Sequence, residues 1–81
     1  MLFRSQSRQV MANLKAVLAA AESGLNNVIK TTVFLKDIND FSTFNEIYAE
    51  YFPDILPARS AFQVAALPLN AMVEIEMIAH R

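Results

Sequence analysis

The sequence predicts a small α+β unit with the order helix, strand, helix, strand, strand. Three observations predict it. Apolar residues recur at helical spacing close to the N-terminus. Compact runs with strand composition follow, one of them strictly alternating. Glycine, proline and aspartate fall between these segments, where chain reversals and helix ends are wanted.

The first helix is expected over residues 6–21. Val10, Met11, Leu14, Val17, Leu18 and Ala21 share one stripe, with Arg8, Asn13, Lys15 and Glu22 off it. Gly24, the only glycine, lies just past the stripe, in place for a left-handed C-cap. Ser5 is available as an N-cap, although Arg8 is not the Glu or Gln that completes a capping box. Residues 28–35 (VIKTTVFL) read as a strand apolar enough to be interior and covered on both faces. Asp40 is placed to cap a second helix with its carboxylate. There Phe41, Phe44, Tyr48, Tyr51 and Phe52 form an aromatic stripe, and Pro53 stops the helix. Pro57 and Pro68 bracket a strand at about residues 58–64. The last strand, about 72–79, puts Val73, Ile75, Met77 and Ala79 on one face and Glu74 and Glu76 on the other.

The helix between the first two strands allows that pair to be parallel. The last two strands, close in sequence, are expected to form an antiparallel hairpin. Three strands leave open edges, which invite further pairing. At 81 residues the chain is read as one domain over residues 1–81. Its hydrophobic fraction of 54% is more than one small core hides, so subunit contacts are expected. No apolar run suffices for a membrane span, and the N-terminus lacks the apolar core of a signal peptide. The absence of cysteine removes disulfides, thiol nucleophiles and thiolate metal sites, and fits a reducing cytoplasm. With a net charge of −1 and scattered basic residues, the chain carries no nucleic-acid footprint.

Four residues stand out chemically. Arg59 places a permanent cation at the start of a strand, near a sheet rim. A guanidinium matches a carboxylate with two parallel hydrogen bonds, so Arg59 reads as a carboxylate ligand or as a surface or ion-paired arginine. Glu74 and Glu76 share a strand face, which is either solvated or used to orient water or move a proton. Periodicity does not separate the two. Asn45, beside the aromatic stripe, is a substrate-pinning or a structural amide. Tyr48 and Tyr51 read as packing residues with a hydroxyl at the edge. There is no phosphate loop, no Ser/His/Asp arrangement and no metal-ligand cluster, and His80 stands without partner ligands.

The segments "NLKAVL", "VIKTTVFLKD", "DF..FNEIY..YF", "PARSA" and "VEIE.IA", in this order and spacing, resemble the Rid family. Its members are also called YjgF-type proteins or L-PSP endoribonucleases. The match runs from about residue 6 to residue 79. The resemblance implies a chorismate-mutase-like α+β fold, assembled as a homotrimer with sites in clefts between subunits. It implies hydrolysis of reactive enamines and imines to a 2-keto acid and ammonia, the 2-iminobutanoate/2-iminopropanoate deaminase reaction. In that reading Arg59 holds the substrate carboxylate, Glu74 positions the water and Asn45 lies near the site. Glu76 has no catalytic role, and neither metal nor organic cofactor is needed.

Two departures accompany the resemblance. Ala61 stands where active members often carry cysteine. Typical members also have further strands ahead of the first helix, so the chain is expected to be an N-terminally truncated form of the fold. Two other functions remain open at this level: a non-catalytic oligomeric interaction protein, and an L-PSP-type endoribonuclease acting as a translation inhibitor.

Overall fold

The computed structural model describes residues 2–54 and 56–81 and realises the expected element order. Helix α1 (Leu2–Ala20) leads to β1 (Val28–Leu35), then α2 (Phe41–Tyr51), β2 (Ala58–Gln63) and β3 (Val73–Ala79). Short 3₁₀ turns at Leu25–Asn27, Ile38–Asp40 and Pro68–Asn70 join them. Among the described residues no helix is long and apolar enough to cross a membrane.

The sheet order is β2-β1-β3. β1 pairs with β2 in parallel, as the intervening helix allows, and with β3 antiparallel. The expected hairpin between the last two strands is therefore not formed. Residues 64–72 connect them, longer than the roughly two to five residues of a hairpin loop. That length carries the chain across to the far edge of β1. The gain is that β1, with its buried Thr31, Val33 and Leu35, is paired on both sides.

Both helices pack on one face of this sheet. Val33, Leu35 and Val73 meet Phe3, Met11, Phe44, Tyr48 and Phe52 in one buried cluster. The helices run parallel: Arg4 pairs with Glu46 at 3.2 Å, and one turn on Arg8 pairs with Glu50 at 2.9 Å. The second Arg8–Glu50 bond, at 3.2 Å, makes that pair bidentate. Hydrogen bonding from Arg8, more than charge, draws the Glu50 carboxyl below its ordinary value and lifts Arg8 above its own. The opposite sheet face is uncovered, which corrects the expectation that β1 is covered on both sides. Phe62 and Ile78 are 52% and 58% exposed there.

Three further expectations change. The first helix starts four residues earlier than its apolar stripe suggests. Phe3, Ser7 and Met11, at i, i+4 and i+8, form its buried face, so Ser5 lies inside the helix rather than capping it. The far end of the stripe stays open, with Val17 64% exposed. Arg8 already sits beside Glu50 near the end of α2, so α1 has no neighbouring helix further on. Among the described residues Ser7 Oγ is buried without a hydrogen-bond partner, a desolvation cost of roughly 1–3 kcal/mol carried by the packing around it. Asp40 makes no side-chain cap; Asp37, three residues earlier, accepts from the Asn39 N–H at 2.9 Å and starts the turn that runs into α2.

The end of α1 is the third. Gly24 is extended, with φ −173° and ψ 171°, and Glu22 takes the left-handed position at φ 60°. The Ser23 N–H donates to the Leu18 carbonyl at 2.8 Å and the Glu22 N–H to Ala19 at 3.1 Å, the two bonds of a Schellman ending. Glu22→Gly is expected to stabilise the protein by about 1 kcal/mol through relief of this strain. Gly24→Ala, whose new methyl meets open space, is expected to add a smaller gain of about 0.5 kcal/mol. Urea midpoints check both, and a loss of stability in Glu22→Gly removes the strain explanation.

Candidate functional site

Arg59 is the second residue of β2, opposite Thr31 of β1. Thr31 is buried and accepts a hydrogen bond from the Tyr48 hydroxyl at 3.1 Å. Paired residues share a sheet face, so Arg59 lies on the helix-covered side, under α2. Its Nη1 donates to Asn45 Oδ1 at 2.6 Å. Its guanidinium carbon is 5.0 Å from the centre of the Phe41 ring and 4.8 Å from that of Tyr48. Phe41, Asn45 and Tyr48 follow one another at i, i+4 and i+7, which puts all three on one side of the helix. The loop before α2 is tied to the same strand, because Gln63 Oε1 accepts from the Ile38 N–H at 2.9 Å.

What Arg59 lacks is a counter-charge. Arg4 and Arg8 each take a glutamate, whereas Arg59, among the described residues, makes no ion pair. Its partners are an amide oxygen and two rings, all neutral. Among the described residues one of its five N–H donors is used, so the others remain for a ligand. A half-buried cation satisfied only by neutral groups favours an anion from outside, and the planar fork favours a carboxylate.

Glu74 is elsewhere. It opposes Phe34, on the open sheet face together with Glu76, and it is exposed. Phe34 in turn opposes Phe62, three residues beyond Arg59. The two backbones are thus separated by about 10 Å along the strands and about 10 Å across them, on opposite faces. A groove of about 250 Å³ between α1 and β3 reaches Glu74 but not Arg59. Another of about 200 Å³, beneath Phe52 and Pro57, touches neither. The protomer therefore brings Arg59 and Asn45 together and leaves Glu74 apart. Ala61, two residues after Arg59 on the same face, packs against the core. Among the described residues there is no group of three or more potential metal ligands.

Sequence reasoning missed Phe41 and Tyr48 as partners of the arginine and Thr31 as the anchor of Tyr48, and read the aromatics as packing alone. The signal was present: two aromatics seven residues apart with an amide between them, on a helix that crosses from one strand to its parallel neighbour.

The family model described as Endoribonuclease L-PSP matches residues 2–81. A RutC family protein of Pyrococcus horikoshii is 54% identical over 78 residues, covering 96% of this chain and 62% of its own. The 2-iminobutanoate/2-iminopropanoate deaminase of Mus musculus is 57% identical over 74 residues, covering 91% of this chain and 55% of its own. Among solved structures, E. coli TdcF with bound serine superposes with a TM-score of 0.91 at 43% identity, covering 96% of this chain and 64% of TdcF. The chain thus spans less than two thirds of the length of these relatives. With nearly all of its own residues matched in sequence and in fold, the chain belongs to the Endoribonuclease L-PSP family, which includes the RutC and YjgF-type proteins.

Proposed function

We propose that this chain, assembled with further copies of itself, hydrolyses small 2-imino acids and their enamine tautomers to 2-keto acids and ammonia in the cytoplasm. The observation that carries the reading is Arg59, a half-buried cation with only neutral partners and free in-plane donors. The deaminase name of the mouse relative supports it.

Arg59 binds the substrate carboxylate through two N–H groups, and Asn45 holds the guanidinium from the other side. The bound imine carbon, already electrophilic when protonated, is thereby fixed in position for attack. Glu74 orients a water and accepts its proton as the oxygen adds to that carbon. Glu74 returns that proton to the nitrogen of the tetrahedral adduct and then takes the hydroxyl proton as the C–N bond breaks, so that ammonia leaves and a keto acid remains. This reading needs no metal and no organic cofactor.

Glu74 and Arg59 lie on opposite faces of one protomer, so a working site draws Glu74 from a second copy. The uncovered sheet face, with Phe62, Ile78 and Phe34, supplies apolar surface for such an assembly, a trimer on the family resemblance. Its test is complementation. Imine is generated in situ from serine by a dehydratase, and the remainder is trapped with semicarbazide. Arg59→Ala and Glu74→Gln are each expected to be inactive. Refolded together in equal amounts, they should recover about a quarter of wild-type clearance, since each site draws on two randomly assorted copies. A mixture as inactive as its components overturns the shared site. The nuclease reading gains nothing from the charge pattern, since seven Lys and Arg face eight Asp and Glu and no basic stripe forms.

A further inference from the structure

We propose that Tyr48, tethered by Thr31, is a positioning residue that sets the plane of the Arg59 guanidinium. This rests on the reading of Arg59 as the carboxylate ligand.

The sequence reading makes Tyr48 a packing residue with its hydroxyl at an edge, and the structure places it otherwise. Tyr48 is 1% exposed and its hydroxyl is interior, spent on Thr31 Oγ1 at 3.1 Å. Thr31 is itself fully buried, in the central strand directly opposite Arg59. A phenol held at its far end has a fixed ring, since packing against Phe44 at 5.6 Å and Phe52 at 4.8 Å sets the rest. That ring lies 4.8 Å from the guanidinium carbon, and Phe41, about two helical turns away, lies 5.0 Å from it. Guanidinium groups settle on aromatic faces, through ring charge and through stacking. Contact with the rings leaves the in-plane N–H edge for hydrogen bonding. One part of that edge is fixed by Asn45. The remaining donors then have one direction, and a planar carboxylate binding to them adopts the same plane. Strand, helix and cation are locked through one buried hydrogen bond, although neither Tyr48 nor Thr31 touches the ligand.

A test separates positioning from stability in the full chain. Thr31→Val and Tyr48→Phe each remove one end of the bond and strand the other; the double variant removes both ends and leaves no polar group unpaired. The expected result is that each single variant lowers Tm and raises KM for imine about threefold, with kcat within about twofold of wild type. The double variant recovers Tm but keeps the raised KM, because the ring is still untethered. If KM returns together with Tm, the bond is only structural and the proposal fails. A second readout needs no turnover. The Nε–Hε signal of Arg59 is followed by NMR, with pyruvate as the carboxylate probe. In wild type it should be ring-current shifted and should move on pyruvate addition. In Tyr48→Leu the shift should shrink, with only the Phe41 ring left to produce it, and pyruvate should bind about three- to tenfold more weakly. An unchanged Arg59 signal in Tyr48→Leu overturns the clamp. Pyruvate binding, read by calorimetry, that survives Arg59→Ala overturns instead the assignment of Arg59 as carboxylate ligand, and the clamp is then judged on the wild-type and Tyr48→Leu Arg59 signals alone.

Discussion

Arg59→Ala is expected to lower kcat/KM for imine clearance by about 100-fold or more, the scale on which loss of substrate positioning acts. The protein should stay folded, because Arg59 sits at the second position of an edge strand and no buried acid depends on it. Arg59→Lys should do almost as badly. An ammonium offers a point charge without the planar fork, so it neither grips a carboxylate bidentately nor stacks equally on Phe41 and Tyr48. Semicarbazide trapping gives the rates and circular dichroism the fold. A lysine variant that retains most of the activity would show that charge alone suffices, and the fork geometry would lose its role.

The largest effect on stability is expected at Phe44. Its ring is fully buried between the helices and the sheet, 5.6 Å from the Tyr48 ring. Phe44→Ala should cost about 3–5 kcal/mol, the usual range for deleting a buried aromatic. A domain of this length has a total stability of about 4–12 kcal/mol, so the variant sits at or near the edge of folding. Thermal or urea unfolding of the two proteins measures the difference. A loss under about 1 kcal/mol would mean that the cluster around Phe44 refills the cavity, and that the core is less tightly packed than its burial implies.

Much of the fold was legible because the short-range patterns were clean. The β-branched run at residues 28–35 is strand β1 to the residue, and the alternation of Val73, Ile75 and Met77 with Glu74 and Glu76 is the two-faced pattern of β3. Errors arose where one residue type was given a role that a neighbour could fill. Gly24 looked like the left-handed cap, but Glu22 takes that conformation because the Schellman bonds close there. Asp40 looked like the helix cap, but Asp37 captures the backbone first. The hairpin between the last strands failed for a different reason. Nearness in sequence favours pairing only when the connecting loop is tight, and here the loop reaches the unpaired side of the more apolar β1.

The sequence by itself determined the elements, their order and the family resemblance, and it singled out Arg59, Asn45 and Glu74. The elements follow from periodicity and turn chemistry, properties of residues close together along the chain, whereas the choice of Glu74 over Glu76 and the role of Asn45 came from the family resemblance alone. Only the tertiary structure decided which of those residues meet. Strand pairing and helix packing bring Arg59 beneath Phe41, Asn45 and Tyr48, the amide being fourteen residues away along the chain, and anchor Tyr48 on Thr31. The same pairing turns Glu74 to the other face of the sheet. A strand's period of two records which residues share its face, but which face lies under the helices is settled only when the sheet packs.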